Sequence, residues 1–399
     1  MLRKLSFSII FVLSLVTSAC QAGTPTPIVI PTESSNNPPS SETNNVPAPT
    51  ATEMENQQAV KIALLDRLDQ PEVMDQLKWI KLAIADFKTK TNLNIELVEG
   101  DTGSSPETAQ SAAEQISVAG DIYGVIGLSY SSDASAAGTV LQQFALPCIS
   151  FASNASVYPD SNPTFFQFVP TGDIEGSETG KLVTNILNAK KAFVIYESGS
   201  GPYYQNLYSS FGDTLASNGA TMIGREPITS DTKDFASVVG KIQSSGADVV
   251  FLGTGTVEQA GLLIQEIQKE GVNVPVVGYS YFASTSYSDI AEGNYVISPV
   301  PAVSDSSVIQ NYTQTYGDSN ISPMGPEAYT ATEVMLEAVQ RAVDSGDLTT
   351  RTVADEISKT QQADSILGLP IAFETDGRLM DAHFYLLKVE NGNFITVTP

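Results

Sequence analysis

The sequence predicts an α/β protein built of two doubly wound, Rossmann-like lobes, and three observations predict it. Nine short apolar runs rich in β-branched residues follow one another after Ala59. The stretches between them carry helical periodicity, and the whole alternation occurs twice. The runs are nearly continuous in hydrophobicity, which marks parallel strands covered by helices on both faces.

The chain does not start with the fold. Arg3 and Lys4 form a positive n-region, Phe7 to Val16 an apolar segment too short to span a bilayer, and Thr17, Ser18 and Ala19 a small-residue run before Cys20. Residues 1–19 therefore read as an export signal. The run resembles the lipobox of bacterial lipoproteins, with Thr17 where Leu is preferred. That resemblance implies that Cys20 is lipidated and becomes the mature N-terminus, which would tie the exported protein to a membrane surface by lipid alone. The alternative is a plain signal peptide with Cys20 left over. Residues 20–58 are dense in Pro, Thr, Ser and Asn, cannot offset their ordering entropy, and read as a solvated tether.

The body begins at Ala59, and its about 340 residues are enough for two domains. The first run, VKIALLD (60–66), is followed by Val73, Leu77, Ile80, Ile84 and Phe87 at spacings of four and three, with Pro71 suited to a first turn. NIELVEGD (94–101) completes a β-α-β unit, and YGVIGLS (123–129) and PCISFAS (147–153) continue the first set of strands. The second set is KAFVIYE (191–197), TMIGREPI (221–228), DVVFLGT (248–254), VPVVGYSY (274–281) and GNYVISPV (293–300). Helices are predicted in SPETAQSAAEQISVAG (105–120), EGSETGKLVTNILNA (175–189), DFASVVGKIQSSG (234–246) and TVEQAGLLIQEIQKEG (256–271). The alternating stretch 380–397, with Asn391-Gly392 inside it, reads as a C-terminal hairpin.

Charge and composition exclude several functions. With 45 Asp and Glu against 20 Lys and Arg, the surface repels nucleic acid and anionic lipid headgroups. The single histidine, His383, lies in the hairpin, and no G-x-S-x-G elbow accompanies it. One histidine and one spare cysteine, Cys148 in an apolar run, make no ordinary zinc site. The GTGTVE of 253–258 has Glu258 where a dinucleotide fingerprint needs its third glycine. The DTGSSPE of 101–107 lacks the alternating ligands of a calcium loop. No enzymatic activity, cofactor or metal is therefore expected.

In an open parallel sheet, ligands bind beyond the carboxyl ends of the strands. The segments there are SYSSDAS (129–135), SFASNAS (150–156), ESGSGPYY (197–204), GTGTVEQ (253–259) and GYSYFAS (278–284). Hydroxyls and helix N-terminal amides suit a carboxylate or carbonyl, and the faces of Tyr203, Tyr279 and Tyr281 suit an apolar body or a cation. Each segment taken alone is also an ordinary helix cap. Five of them, drawn from two lobes, indicate a cleft.

The order and spacing of VEGDTGSSPETA, YGVIGLSYSSDA, LPCISFASNAS, FQFVPTGDIEGSETGKLV, DFASVVGKIQSSGADVVFLG and GNYVISPV resemble the type I periplasmic binding proteins, in particular the leucine/isoleucine/valine-binding group serving ABC importers. The resemblance runs from Val60 to the C-terminus. It implies two lobes joined by three crossovers, and prolines and a glycine punctuate the chain near Pro170-Thr171, Pro299–Pro301 and Gly368–Pro370, which puts lobe 1 at 59–171 plus 302–369 and lobe 2 at 172–301 plus 370–399. It also implies a monomer that captures a small polar ligand, an amino acid or close derivative, for an ABC permease. A ligand-sensing lipoprotein signalling to a membrane partner is the alternative.

Carried over by position, the resemblance places a ligand carboxylate at Ser131, Ser153 and Asn154, and its ammonium at Asp173. Tyr203 matches a pocket tyrosine, Thr256 stands where a tyrosine is common, and Ser280 stands where a second acid is common. Asp66 and Glu258 are the acids that could make up for the missing one.

Overall fold

The computed structural model describes residues 59–153, 163–197, 201–302, 306–317 and 321–398. All of them belong to one compact unit of the chain. The export signal, Cys20 and the tether lie outside the described residues.

Two sheets organise the fold. The first holds β1 (Val60–Asp66), β2 (Ile95–Asp101), β3 (Ile122–Gly127), β4 (Cys148–Ser150) and β5 (Phe165–Gln167), in the order β2-β1-β3-β4-β5. The second holds β6 (Lys191–Glu197), β7 (Thr221–Ile228), β8 (Val249–Leu252), β9 (Val276–Gly278), β10 (Tyr295–Ser298), β11 (Tyr385–Glu390) and β12 (Asn393–Val397). Its order is β12-β11-β10-β9-β8-β6-β7. With the last two strands set aside, each sheet is parallel in the order 2-1-3-4-5, that of a doubly wound fold. The predicted pair of α/β lobes is present. At the edge of the second sheet, β11 and β12 form an antiparallel hairpin, and Asn391 (φ 53°) and Gly392 (φ 71°) both take the left-handed conformation that an Asn-Gly turn tolerates.

The apolar runs are continuous because both of their faces are buried. In β1, Ile62 and Leu64 enter one core with Trp79 and Met335, while Ala63 and Leu65 enter another with Ala109 and Leu141. The helices that supply these faces are α1 (Pro71–Lys90), α2 (Pro106–Ala119) and α3 (Ser131–Gln143). In α1, Pro71 occupies the first turn and Val73, Ile80, Ile84 and Phe87 are buried, with Leu77 half-buried. The second lobe is covered by α4 (Gly172–Asn185), α5 (Pro202–Ser217), α6 (Ala236–Ser245), α7 (Val257–Lys269) and the short α8 (Thr285–Ser288).

The helices α9 (Ser307–Tyr316), α10 (Met324–Asp344) and α11 (Thr350–Ser358) return to the first lobe, and their residues join its core. The sequence reading did not include them. In α10, every residue from Gly325 to Thr332 is buried, so its first half shows no polar face, and the polar row of Glu333, Glu337 and Arg341 begins only after it.

The chain passes from the first core to the second between Phe168 and Ile174, and back between Ile297 and Val300. It leaves the first core for the last time between Leu379 and Phe384. That passage is later than the expected Gly368–Pro370, because Leu369, Ile371, Phe373 and Leu379 all pack in the first core and Gln167 bridges to Arg378. Gly368 (φ 72°) instead makes a turn within the loop that the Gln362–Ile371 bridge closes. The Gly-Pro punctuation marked a turn and not a lobe boundary.

Candidate functional site

On the first lobe, the end of β1 is braced by charge. The buried Asp66 carboxylate accepts from the Arg67 amide at 2.9 Å, the Ser129 amide at 2.9 Å and the Ser129 hydroxyl at 2.6 Å. Burial outweighs these bonds and pushes its pKa up to about 6. Arg67 reaches the fully buried Asp133 through two bonds of 2.8 and 2.7 Å and lies 4.0 Å over the Tyr130 ring. Tyr130 donates to Glu72 at 2.6 Å. A loop without a glycine-rich turn is thus held by a bidentate ion pair and a cation–π contact.

On the second lobe, three elements converge on one carboxylate. Glu175 in α4 is 1% exposed. Its Oε1 accepts from the Ser280 amide at 2.8 Å, and its Oε2 accepts from the Ser280 hydroxyl at 2.9 Å and from the Tyr203 phenol. Burial raises its pKa, and these three donors oppose that rise by favouring the charged form. The meeting requires α4 and α5 to approach closely. Gly172, Gly176 and Gly180, spaced by four, face α5; a Cβ at Gly176 would lie 2.9 Å from the Leu207 carbonyl carbon and 3.0 Å from the Phe211 amide. Around Glu175 the aromatic rings form a chain, with Tyr203 edge-on to Tyr204 (5.2 Å), Tyr204 beside Tyr279 (6.0 Å) and Tyr279 stacked with Tyr281 (5.9 Å).

Between these walls lies a cavity of about 760 Å³. Ser129, Phe151 and Ser153 line it from beyond the strands of the first sheet, and Tyr279, Ser280 and Tyr281 from beyond β9. Pro170 and Pro299, at two of the passages between lobes, form part of its floor. This is where a doubly wound fold presents ligand-binding residues. Glu327 of α10 also faces the cavity, is 6% exposed, and its carboxylate has no hydrogen-bond partner among the described residues. Burial, reinforced by repulsion from Glu175, pushes its pKa up to about 8.

Of the predicted site residues, Ser153, Tyr203 and Ser280 line the cavity, and Asn154 lies outside the described residues. Ser131 does not line it; it begins α3, and Ser129 takes the position on the cavity wall. Thr256 is exposed and caps α7, its hydroxyl accepting from the Gln259 amide at 3.2 Å, while Val257 lines the cavity. Asp173 is exposed and borders a separate groove with Ser177 and Lys181. The acid in the cleft is Glu175. Residues two apart on a helix point to nearly opposite sides, and Asp173 belongs to the row of Ser177 and Lys181, whereas Glu175 belongs to that of the buried Thr179 and Val183. Asp66 and Glu258 do not line the cavity.

Two acids escaped the sequence reading, and both left a signal. Glu175 heads the row that ends in the apolar Val183, and Glu327 heads the apolar row Ala331, Met335 and Val339. An acid on an apolar row is a candidate for a cavity wall. Outside the site, His383 lies beside the Tyr385 ring (5.0 Å), and the Cys148 thiol is fully buried, which pushes its pKa up.

The profile of the family described as periplasmic binding protein matches residues 74–393. The Leu/Ile/Val-binding protein homolog 3 of Brucella melitensis is 24% identical over 302 residues, covering 74% of this chain and 80% of that protein. An amino acid binding protein of Pseudomonas aeruginosa is 29% identical over 179 residues, 45% of this chain, which thus spans about half of that relative's length (47%). Among solved structures, the substrate-binding protein LivJ of Streptococcus pneumoniae in complex with isoleucine aligns with a TM-score of 0.71 at 18% identity, over 86% of this chain and 100% of that one. A solute-binding protein of R. palustris in complex with benzoate aligns with a TM-score of 0.70 at 16% identity, over 85% and 96% of the two chains.

Proposed function

The chain belongs to the periplasmic binding protein family, and from that premise we propose that it is an extracytoplasmic solute-binding lipoprotein that captures an amino acid or close derivative between its lobes for an ABC importer. The single observation that carries this reading is the buried Glu175, gathered with Tyr203 and Ser280 from three elements into the interlobe cavity. A carboxylate held by three donors in a low-dielectric wall is an acceptor for a ligand ammonium. Ser153 and the neighbouring hydroxyls supply donors for a carboxylate or carbonyl, and the tyrosines supply apolar faces. The Brucella and Pseudomonas relatives, named for binding branched-chain amino acids and amino acids, support the same ligand class.

A thermal-shift screen with amino acids, amides and small carboxylates tests the reading. A ligand at 100 times its Kd stabilises the folded state by ~2.7 kcal/mol. No shift with any of them refutes it. The anchor is tested separately: the mature chain begins at a lipidated Cys20 and partitions into detergent, and Cys20→Ala releases it. A mature form with an unmodified cysteine in the aqueous phase removes the lipoprotein part of the proposal.

A further inference from the structure

We propose that the cleft selects an organic cation of net positive charge, an amine or guanidine gripped between Glu175 of the second lobe and Glu327 of the first. The inference rests on the solute-binding reading and narrows its ligand.

The two carboxylates differ in what already occupies them. An ionised carboxylate offers about four lone-pair sites, and at Glu175 three are taken by Ser280 and Tyr203. At Glu327 no described residue takes any, although the side chain is almost wholly buried and faces the cavity. Its oxygens open into the cavity, where only solvent or a ligand can meet them. Both acids sit where their charges repel, so two ionised carboxylates are compatible with this wall only when a cation lies between them.

The remaining charged groups of the cavity are already committed. Glu72 accepts from Tyr130, Asp75 accepts from Tyr312, and Lys78 lies 3.9 Å from Asp75. Once a cation draws both Glu175 and Glu327 into their ionised form, the unmatched charge of the wall is negative. A zwitterion brings a carboxylate that this excess disfavours, whereas a ligand of net positive charge neutralises both acids and leaves the tyrosine faces to hold its body. Glu327 comes from α10 and Glu175 from α4, so one cation would bind both lobes at once.

Calorimetry on the full chain at pH 7 decides the question. The probes are lysine, arginine and 1,4-diaminobutane as cations, leucine as a zwitterion of zero net charge and benzoate as an anion. At least one cation is expected to bind more tightly than leucine by ~10-fold or more, and benzoate not at all. Glu327→Gln should weaken the cation by about 30-fold or more, as expected when one partner of a buried charge pair is removed, and should leave leucine within a few-fold. Glu175→Gln, the second variant, should weaken the cation and leucine alike, because Glu175 also receives a zwitterion's ammonium, and melting curves verify that both fold. Leucine binding as tightly as every cation overturns this inference and leaves the solute-binding reading standing. A cation that binds both glutamine variants as it binds the wild type overturns the assignment to these carboxylates. No binding by any probe, together with no thermal shift in the wider screen, overturns both readings.

Discussion

Replacing Gly176 by alanine tests whether the cleft depends on the contact between α4 and α5. The added Cβ would stand 2.9 Å from the Leu207 carbonyl carbon and 3.0 Å from the Phe211 amide nitrogen, where ordinary contact begins at 3.4 Å. The Leu207 carbonyl oxygen lies nearer still. All three atoms are backbone, so no side chain can rotate away, and with the carbonyl oxygen so near the helices must part by about an ångström. Overpacking of this kind costs ~1–3 kcal/mol, and the clash with a carbonyl outweighs the ~1 kcal/mol that alanine gains over glycine in a helix. At ~2–4 °C per kcal/mol, melting should fall by several degrees. Because Glu175 adjoins Gly176 and its Tyr203 partner begins α5, ligand affinity should fall with it. Gly240→Ala is the control: that glycine is exposed in α6 with nothing within 4 Å of its would-be Cβ, so the same change should stabilise by ~0.5–1 kcal/mol. Urea denaturation followed by circular dichroism measures both. If Gly176→Ala is as stable as wild type, the close approach of the helices, and with it the argument for how Glu175 is positioned, is wrong.

The ligand-free protein should lose stability as pH rises from 6 to 8. Glu327 has a folded pKa near 8 against an unfolded value of ~4.3, so the folded state binds more protons in this window and stability falls with rising pH, by at most ~1.4 kcal/mol per unit. The charged groups facing the same cavity are Glu72, Asp75, Lys78 and Glu175; melting temperatures across that range should flatten in Glu327→Gln, and an unchanged slope would count against a protonated Glu327. Trp79→Ala removes a fully buried ring stacked 3.9 Å from Tyr312 and should cost ~3–5 kcal/mol in chemical denaturation. Arg67→Met leaves the buried Asp133 without its bidentate partner. Arg67 keeps a fifth of its side chain exposed, so the loss should be near ~3 kcal/mol, the low end for a broken buried pair, and a loss within the scatter of surface substitutions would show that Thr102 and Ser132 suffice to satisfy Asp133.

Local pattern was enough for the sequence to determine the two-lobed α/β class, because a strand buried on both faces must read as a continuous apolar run. VKIALLD and KAFVIYE coincide with β1 and β6 for that reason. The Asn391-Gly392 turn was equally legible, since few residue pairs take two left-handed conformations in succession. Elements whose surroundings set their form were not legible. The three-residue β5 is too short to show a period, and the first half of α10 is buried all round, leaving its polar row to begin only at Glu333. The carboxylate in the cleft was placed two residues away from Glu175, at Asp173, because a motif carried over by position says nothing of which helical row faces the partner lobe. Ser129 replaced Ser131 on the cavity wall in the same way. Periodicity is a property of one element and can be read along the chain. A cleft is made by side chains from α4, α5, α10 and the loop beyond β9, far apart in sequence, and only their packing decides which of them meet.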